Sequence, residues 1–171
     1  RFTECSVLLY GHPSTRYRSQ DSTTFQSAAR MLEITGQLID SRYVPAVPYD
    51  IPATEFAAQL RERMGRFFTH DPVEVVLDPQ LSSKATAGSK VIRIRADAMF
   101  SDLDLDQLVE HEAFIHSATM LNGKRQPWLR CLGTGAPRTT RTQEGLATFA
   151  EIITGSMDIN RLRRLALRVL H

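Results

Sequence analysis

The chain carries His111-Glu112-Ala113-Phe114-Ile115-His116, two imidazoles five positions apart with a carboxylate after the first. This spacing constrains the backbone more than any other feature does. The residues from about Leu105 to Leu121 have the apolar pattern of one helix. On a regular helix of roughly 3.6 residues per turn, positions i and i+5 point roughly 140° apart. Side chains so directed cannot share one ligand. One inserted residue, a π-type bulge, returns them to a common face, and such bulges concentrate at functional sites. If the two histidines act together, the sequence predicts that this helix is locally overwound or bulged between them.

The better-known zinc-protease pattern has one residue fewer between its histidines. Chance alone gives the present spacing in on the order of one chain in a hundred of this composition. The plain reading of such residues is a solvated or capping role. A zinc site needs a third protein ligand and leaves a fourth position to water. The best candidate is Glu144, in Thr142-Gln143-Glu144-Gly145-Leu146-Ala147, 28 positions after His116. Alone, Glu144 reads as a first-turn acid favoured by the helix dipole; beside His111 and His116 it reads as a ligand. Gly145 would allow another backbone to come close. Glu151 follows Glu144 by two turns on the same face, where it can accept a proton from a ligand imidazole.

Around these residues the chain is an ordinary globule. It has 171 residues, 42% hydrophobic and 23% charged, so it can bury a core without staples and is neither disordered nor fibrous. Two cysteines, Cys5 and Cys131, make no disulfide framework. No apolar run approaches the roughly 20 residues that span a bilayer, and no signal peptide is visible, so a cytoplasmic location is expected. Arg outnumbers Lys 18 to 3, a source effect, but the net charge is only +2. The arginines at 161, 163, 164 and 168 interleave with Leu and Val as the solvated side of an amphipathic helix. Nucleic-acid binding, which needs a strongly basic footprint, is therefore not expected. The chain opens on Arg1 and stops at His171 within a helical pattern, so we expect a piece of a longer protein.

The pattern predicts an α+β fold, mostly helical with a small antiparallel sheet. One helix runs from about Thr23 to Ile39, loosely, because Gly36 interrupts its stripe. Another spans Ala53 to Phe68, with Phe56, Leu60, Met64, Phe67 and Phe68 at helical spacing. Val73 to Leu77 and Val91 to Arg95 read as strands pairing as an antiparallel hairpin, with 78 to 90 as a loop. Asn122-Gly123 reads as a helix stop. Thr140-Arg141-Thr142-Gln143 reads as a capping box opening a helix to about Ile153, ended by Gly155. Ile159 to Leu170 forms a last helix. Trp128 reads as core or the wall of a cleft, and His12, His70 and His171 as surface or capping residues.

His111–His116, Asn122-Gly123, Gln126-Pro127, Thr142–Ala147 and the Arg161–Leu170 helix together resemble the QEGLA-motif family. Its bacterial members are described as flavohaemoglobin expression-modulating proteins, and its animal relatives are microtubule-associated tyrosine carboxypeptidases. The resemblance is strongest from Val91 to Leu170 and weaker before it, where Leu8-Leu9-Tyr10-Gly11-His12-Pro13 looks like the family's entry to its core. It implies a zincin-like, gluzincin-type metallopeptidase core over residues 1–171, the central part of a chain about twice as long. It implies Zn2+ on His111, His116 and Glu144, with Glu112 as general base. A peptide or protein is the implied substrate; recognition through its C-terminus requires an Arg to meet the terminal carboxylate, ideally in a bidentate pair. Arg93, Arg95, Arg138 and Arg141 are candidates for that role, and Arg138, Arg141 and Tyr43 for an oxyanion donor. The rival reading is a non-catalytic regulatory or interaction module with a vestigial or structural metal site. Glu112 discriminates, because a structural zinc site needs no free carboxylate beside its first histidine.

Overall fold

A computed structural model describes residues 4, 7, 12–16, 21–41 and 44–170. They form an α+β protein, mostly helical, with short strands. Two compact units are built from interleaved segments: residues 1–46, 137–141 and 157–171 in one, 47–136 and 142–156 in the other.

In the first unit, helix α1 (Thr24–Asp40) opens with a capping box. The Gln26 N–H donates to Thr23 Oγ1 at 3.2 Å, and the Thr23 N–H donates to Gln26 Oε1 at 2.9 Å. The helix passes through Gly36 without a break, over nearly the span expected. The glycine is explained by its neighbour. A Cβ at position 36 would sit 3.3 Å from Arg163 Nη1, on the terminal helix that packs against α1. That terminal helix spans Ile159–Leu170, as its amphipathic pattern predicts. Cys5, Leu8–Gly11, Tyr43 and His171, named in the sequence reading, lie outside the described residues.

The second unit holds the main core. Strand β1 (Ile51–Pro52) leads into α2 (Ala53–Phe67), which buries Phe56, Leu60 and Met64. The α2 face packs on β2 (Glu74–Asp78) and β4 (Val91–Arg95), whose Val75, Ile92 and Ile94 point inward. The Arg61 side chain ties helix to sheet, donating from Nη2 to the Val75 carbonyl at 2.7 Å. β5 (Met99–Phe100) pairs antiparallel with β1 and places the Phe100 ring on Phe56, centroids 4.0 Å apart and stacked.

The expected hairpin is not there. β2 and β4 pair in parallel, Glu74 opposite Val91 and Asp78 opposite Arg95. A parallel pair needs a crossover of a dozen or so residues, and the segment read as a plain loop supplies it. That segment also contains a third strand, β3 (Ala85–Ala87), antiparallel on the other side of β4. The sheet is therefore mixed, in the order β2-β4-β3. Its small residues hid β3, because Ala-Thr-Ala has no strand signature of its own.

A long helical segment follows. Ser101 caps it: its hydroxyl accepts from the Asp104 N–H at 3.3 Å, and Asp104 Oδ2 accepts from the Ser101 N–H at 3.0 Å. It runs as α3 (Asp102–Leu108), a π-helix (Val109–Ser117) and α4 (Ala118–Lys124). Asn122-Gly123 does not stop it. Gly123 is buried inside α4 because another backbone crosses there: a Cβ would lie 2.3 Å from the Gly133 nitrogen. Gly133 ends a single 3-10 turn, Arg130–Gly133. The loop before that turn leaves Trp128 91% exposed, so this residue is neither core nor a wall.

Helix α5 (Pro137–Ile153) starts at Pro137, three residues before the expected capping box. Proline suits a first helical position, since its fixed φ fits and its missing N–H costs nothing there. Gly155, at φ +75°, follows its end, as expected. The terminal helix Ile159–Leu170 is α6. No helix among the described residues is long and apolar enough to cross a membrane.

Candidate metal centre

Of the two alternatives the bulge is the one present, not an overwound helix, and it covers the whole motif. Residues Val109 to Ser117 hydrogen-bond in the i→i+5 pattern of a π-helix. Residues five apart then stack one turn above another, and the His111 and His116 rings come to 4.9 Å between centroids. The packing around it holds this wide turn in place. Val109 and Ala113 enter the hydrophobic core, Phe114 meets the rings of Phe67 and Phe68, and the buried Ser117 hydroxyl donates to the Gly88 carbonyl at 2.8 Å. His111 and His116 are left on the remaining face.

Helix α5 supplies the facing groups. Glu144 Oε2 is 3.6 Å from His111 Nε2, and its Oε1 is 3.4 Å from His116 Nε2. Among the described residues, this trio is the one group of three or more His, Cys, Asp or Glu side chains able to converge on one ion. Two turns on, Glu151 is fully buried, with Oε1 2.5 Å from His111 Nδ1. An ionised carboxylate only accepts, so Nδ1 carries a proton and donates it. Gln107 Nε2 donates to the same Glu151 oxygen at 3.3 Å. On the other ring, His116 Nδ1 is 3.2 Å from Gln143 Oε1.

The electrostatics favour a cation. Burial opposes charge on His111, yet hydrogen bonds to Glu144 and Glu151 and the fields of Glu112 and Glu151 outweigh it, and its pKa is pushed up to about 9. Burial raises the Glu110 carboxyl above its usual value, against the lowering effect of Arg63.

The donor set suits zinc. Two ligands each about 2.1 Å from a tetrahedral centre lie about 3.4 Å apart. The two Nε2-to-carboxylate distances are near this value. The Nδ1 partners of both rings leave Nε2 as the nitrogen turned toward Glu144, the orientation that metal-binding imidazoles require. Glu112 follows His111 on the π-helix and is half-buried, outside the trio.

Other expectations fare differently. A Cβ at Gly145 would meet nothing within 4 Å among the described residues, so none of their backbone crosses there, contrary to the close approach expected. Arg93 faces Asp78 at 3.9 Å, while Arg95 faces Asp97 at 3.1 Å and donates to the Ser82 carbonyl at 3.2 Å. These partners belong to the sheet and its loops rather than to the His–Glu cluster. Arg138 and Arg141 lie in the first turns of α5, in the segment that belongs to the first unit. Gln143 was read only as part of a capping box, not as a partner of His116, and Gln107 was not singled out. Gln143 had a signal, since it directly precedes the candidate ligand Glu144, but Gln107 had none.

A family model described as microtubule-associated tyrosine carboxypeptidase matches residues 1–171, the full length of the sequence. The chain belongs to that family, a family of carboxypeptidases, for which a peptide or protein is the substrate. No curated protein and no solved structure matches the chain.

Proposed function

We propose that the chain is a zinc-dependent peptidase of carboxypeptidase type, with the metal held by His111 Nε2, His116 Nε2 and Glu144 in a gluzincin-like arrangement. The observation that carries this reading is the Glu144 carboxylate, which reaches the Nε2 atoms of both histidines across a π-helical turn. When bound, zinc supplies Lewis acidity, which lowers the pKa of water and polarises a scissile carbonyl.

The chain's own residues do the rest. Glu112 takes a proton from the attacking water and delivers it to the leaving amine. Glu151 holds the His111 ring through Nδ1, fixing which nitrogen faces the metal. Gln107, donating to Glu151, keeps that carboxylate directed at the ring. A non-catalytic module has no need of Glu112, and no contact in the second unit favours that alternative.

Two measurements test the reading. Elemental analysis of purified protein should give close to one zinc per chain after loading, lost in Glu144→Gln. Under a few tenths per chain would remove the ligand assignment. Peptide-library digestion should show cleavage that Glu112→Gln reduces at least a hundredfold with metal retained, the span general-base catalysis usually covers. Equal cleavage by both proteins would remove Glu112 as base.

A further inference from the structure

Helix α5 touches both imidazoles on both of their nitrogens. Glu144 faces Nε2 of each ring. Glu151 faces Nδ1 of His111 and Gln143 faces Nδ1 of His116. One short stretch of a single helix thus grips each ring from both sides. The two Nδ1 partners differ in chemistry: one is a buried carboxylate, the other a neutral amide.

We infer that Gln143 is a positioning residue for the metal, holding His116 with Nδ1 protonated and Nε2 open to the ion through its amide oxygen. The inference rests on the metal reading above. Three facts support it. The amide oxygen is within hydrogen-bond range of Nδ1 at 3.2 Å. No other hydrogen-bond partner of His116 Nδ1 is found among the described residues, so without Gln143 the ring is free to turn or change tautomer. Gln143 also adjoins Glu144 in sequence, so the helix that presents the ligand fixes the ring it must meet.

The neutrality of the amide has its own consequence. Glu112, Glu144 and Glu151 already place three carboxylates around the two histidines. An acid at 143 would add a fourth. Gln143 gives the orientation without that charge, so loss of its oxygen and gain of a charge should act differently.

The test is metal affinity of the full chain, measured by competition with a chromophoric chelator using Zn2+ and, separately, Co2+ with its visible absorption. Gln143→Ala and the near-isosteric Gln143→Met should weaken binding by about 10- to 100-fold, the usual cost of losing such an outer partner. Gln143→Glu, which keeps an acceptor oxygen, should restore affinity to within a few-fold of the parent. Far-UV circular dichroism and melting of the metal-free proteins should be unchanged across the series. Affinity within twofold of the parent in both the Ala and Met variants overturns the proposal. So does a folded Gln143→Glu protein that binds as weakly as Gln143→Ala. If the parent binds no metal while folded, the metal reading itself falls and this inference with it. If Glu144→Gln abolishes binding and Gln143→Ala does not weaken it, the metal reading stands and this inference alone fails.

Discussion

His111 shows how a single residue couples the site to stability. Its pKa is raised to about 9, from about 6.5 in an unfolded chain. A raised value means that the folded protein holds the proton more tightly. The resulting stabilisation is complete below about pH 6.5 and is lost as pH rises through about 9. In chelator, urea denaturation should give a stability lower by about 1–3 kcal/mol at pH 10 than at pH 6. His111→Gln should remove most of that slope. An unchanged slope in the variant would show that other groups set it. Two glycines make opposite predictions. Gly123→Ala would put a methyl 2.3 Å from the Gly133 backbone nitrogen, where neither chain segment can easily yield. It should cost about 1–3 kcal/mol by overpacking. At Gly145 there is open space within a helix, so Gly145→Ala should stabilise by about 0.5–1 kcal/mol. Thermal melts of the two variants should move in opposite directions, and a fall for Gly145→Ala would mean an unseen neighbour there.

At the scale of elements, the π-helix is the decisive structure. Its extra residue serves two surfaces at once. On one face it aligns His111 with His116; on the other it keeps Ser117, Leu121 and Gly123 in register with Gly88, the core and Gly133. Deleting Ile115 would leave histidines four apart, a workable metal pair on a regular helix. Without the extra residue the segment can close as a regular helix, with His116 and every later residue kept close to their present faces. We therefore expect the deletion to be tolerated, with Tm lowered by less than about 10 °C, because the buried contacts after the bulge keep their directions. A deletion variant that fails to fold would refute this account of the bulge. This element was legible from the sequence because an i, i+5 pair of histidines leaves few geometries open. The long helices were legible too, from residues such as Phe56, Leu60 and Met64 at helical spacing. The sheet was less so. Val75, Ile92 and Ile94 mark strands but carry no record of direction, and Ala85-Thr86-Ala87 pairs only because β4 offers it an edge. The role of Gly123 was missed for a similar reason. Its partner Gly133 lies further along the sequence, beyond the end of the helix, and a helix stop explains a glycine just as well until the crossing chain is seen.

For the whole molecule, the trio, both Nδ1 partners and Glu112 all belong to the second unit, on the same core as Phe56 and Phe100. Metal binding should therefore act as a ligand of that unit. Zinc at a hundred times its Kd should raise its stability by about 2.7 kcal/mol. Calorimetry with and without zinc should show this, and His116→Ala should abolish the shift. Removing a buried ring in the same unit, as in Phe56→Ala, should cost about 3–5 kcal/mol. The chain's single tryptophan gives the experimenter a different tool. Trp128 stands in water at 91% exposure. Its emission should already be that of a solvated indole in the folded protein and should hardly shift on unfolding, so it is a poor reporter of folding. Anything that settles on its loop, however, should move that emission to the blue, making Trp128 a built-in sensor of encounters at this corner of the surface.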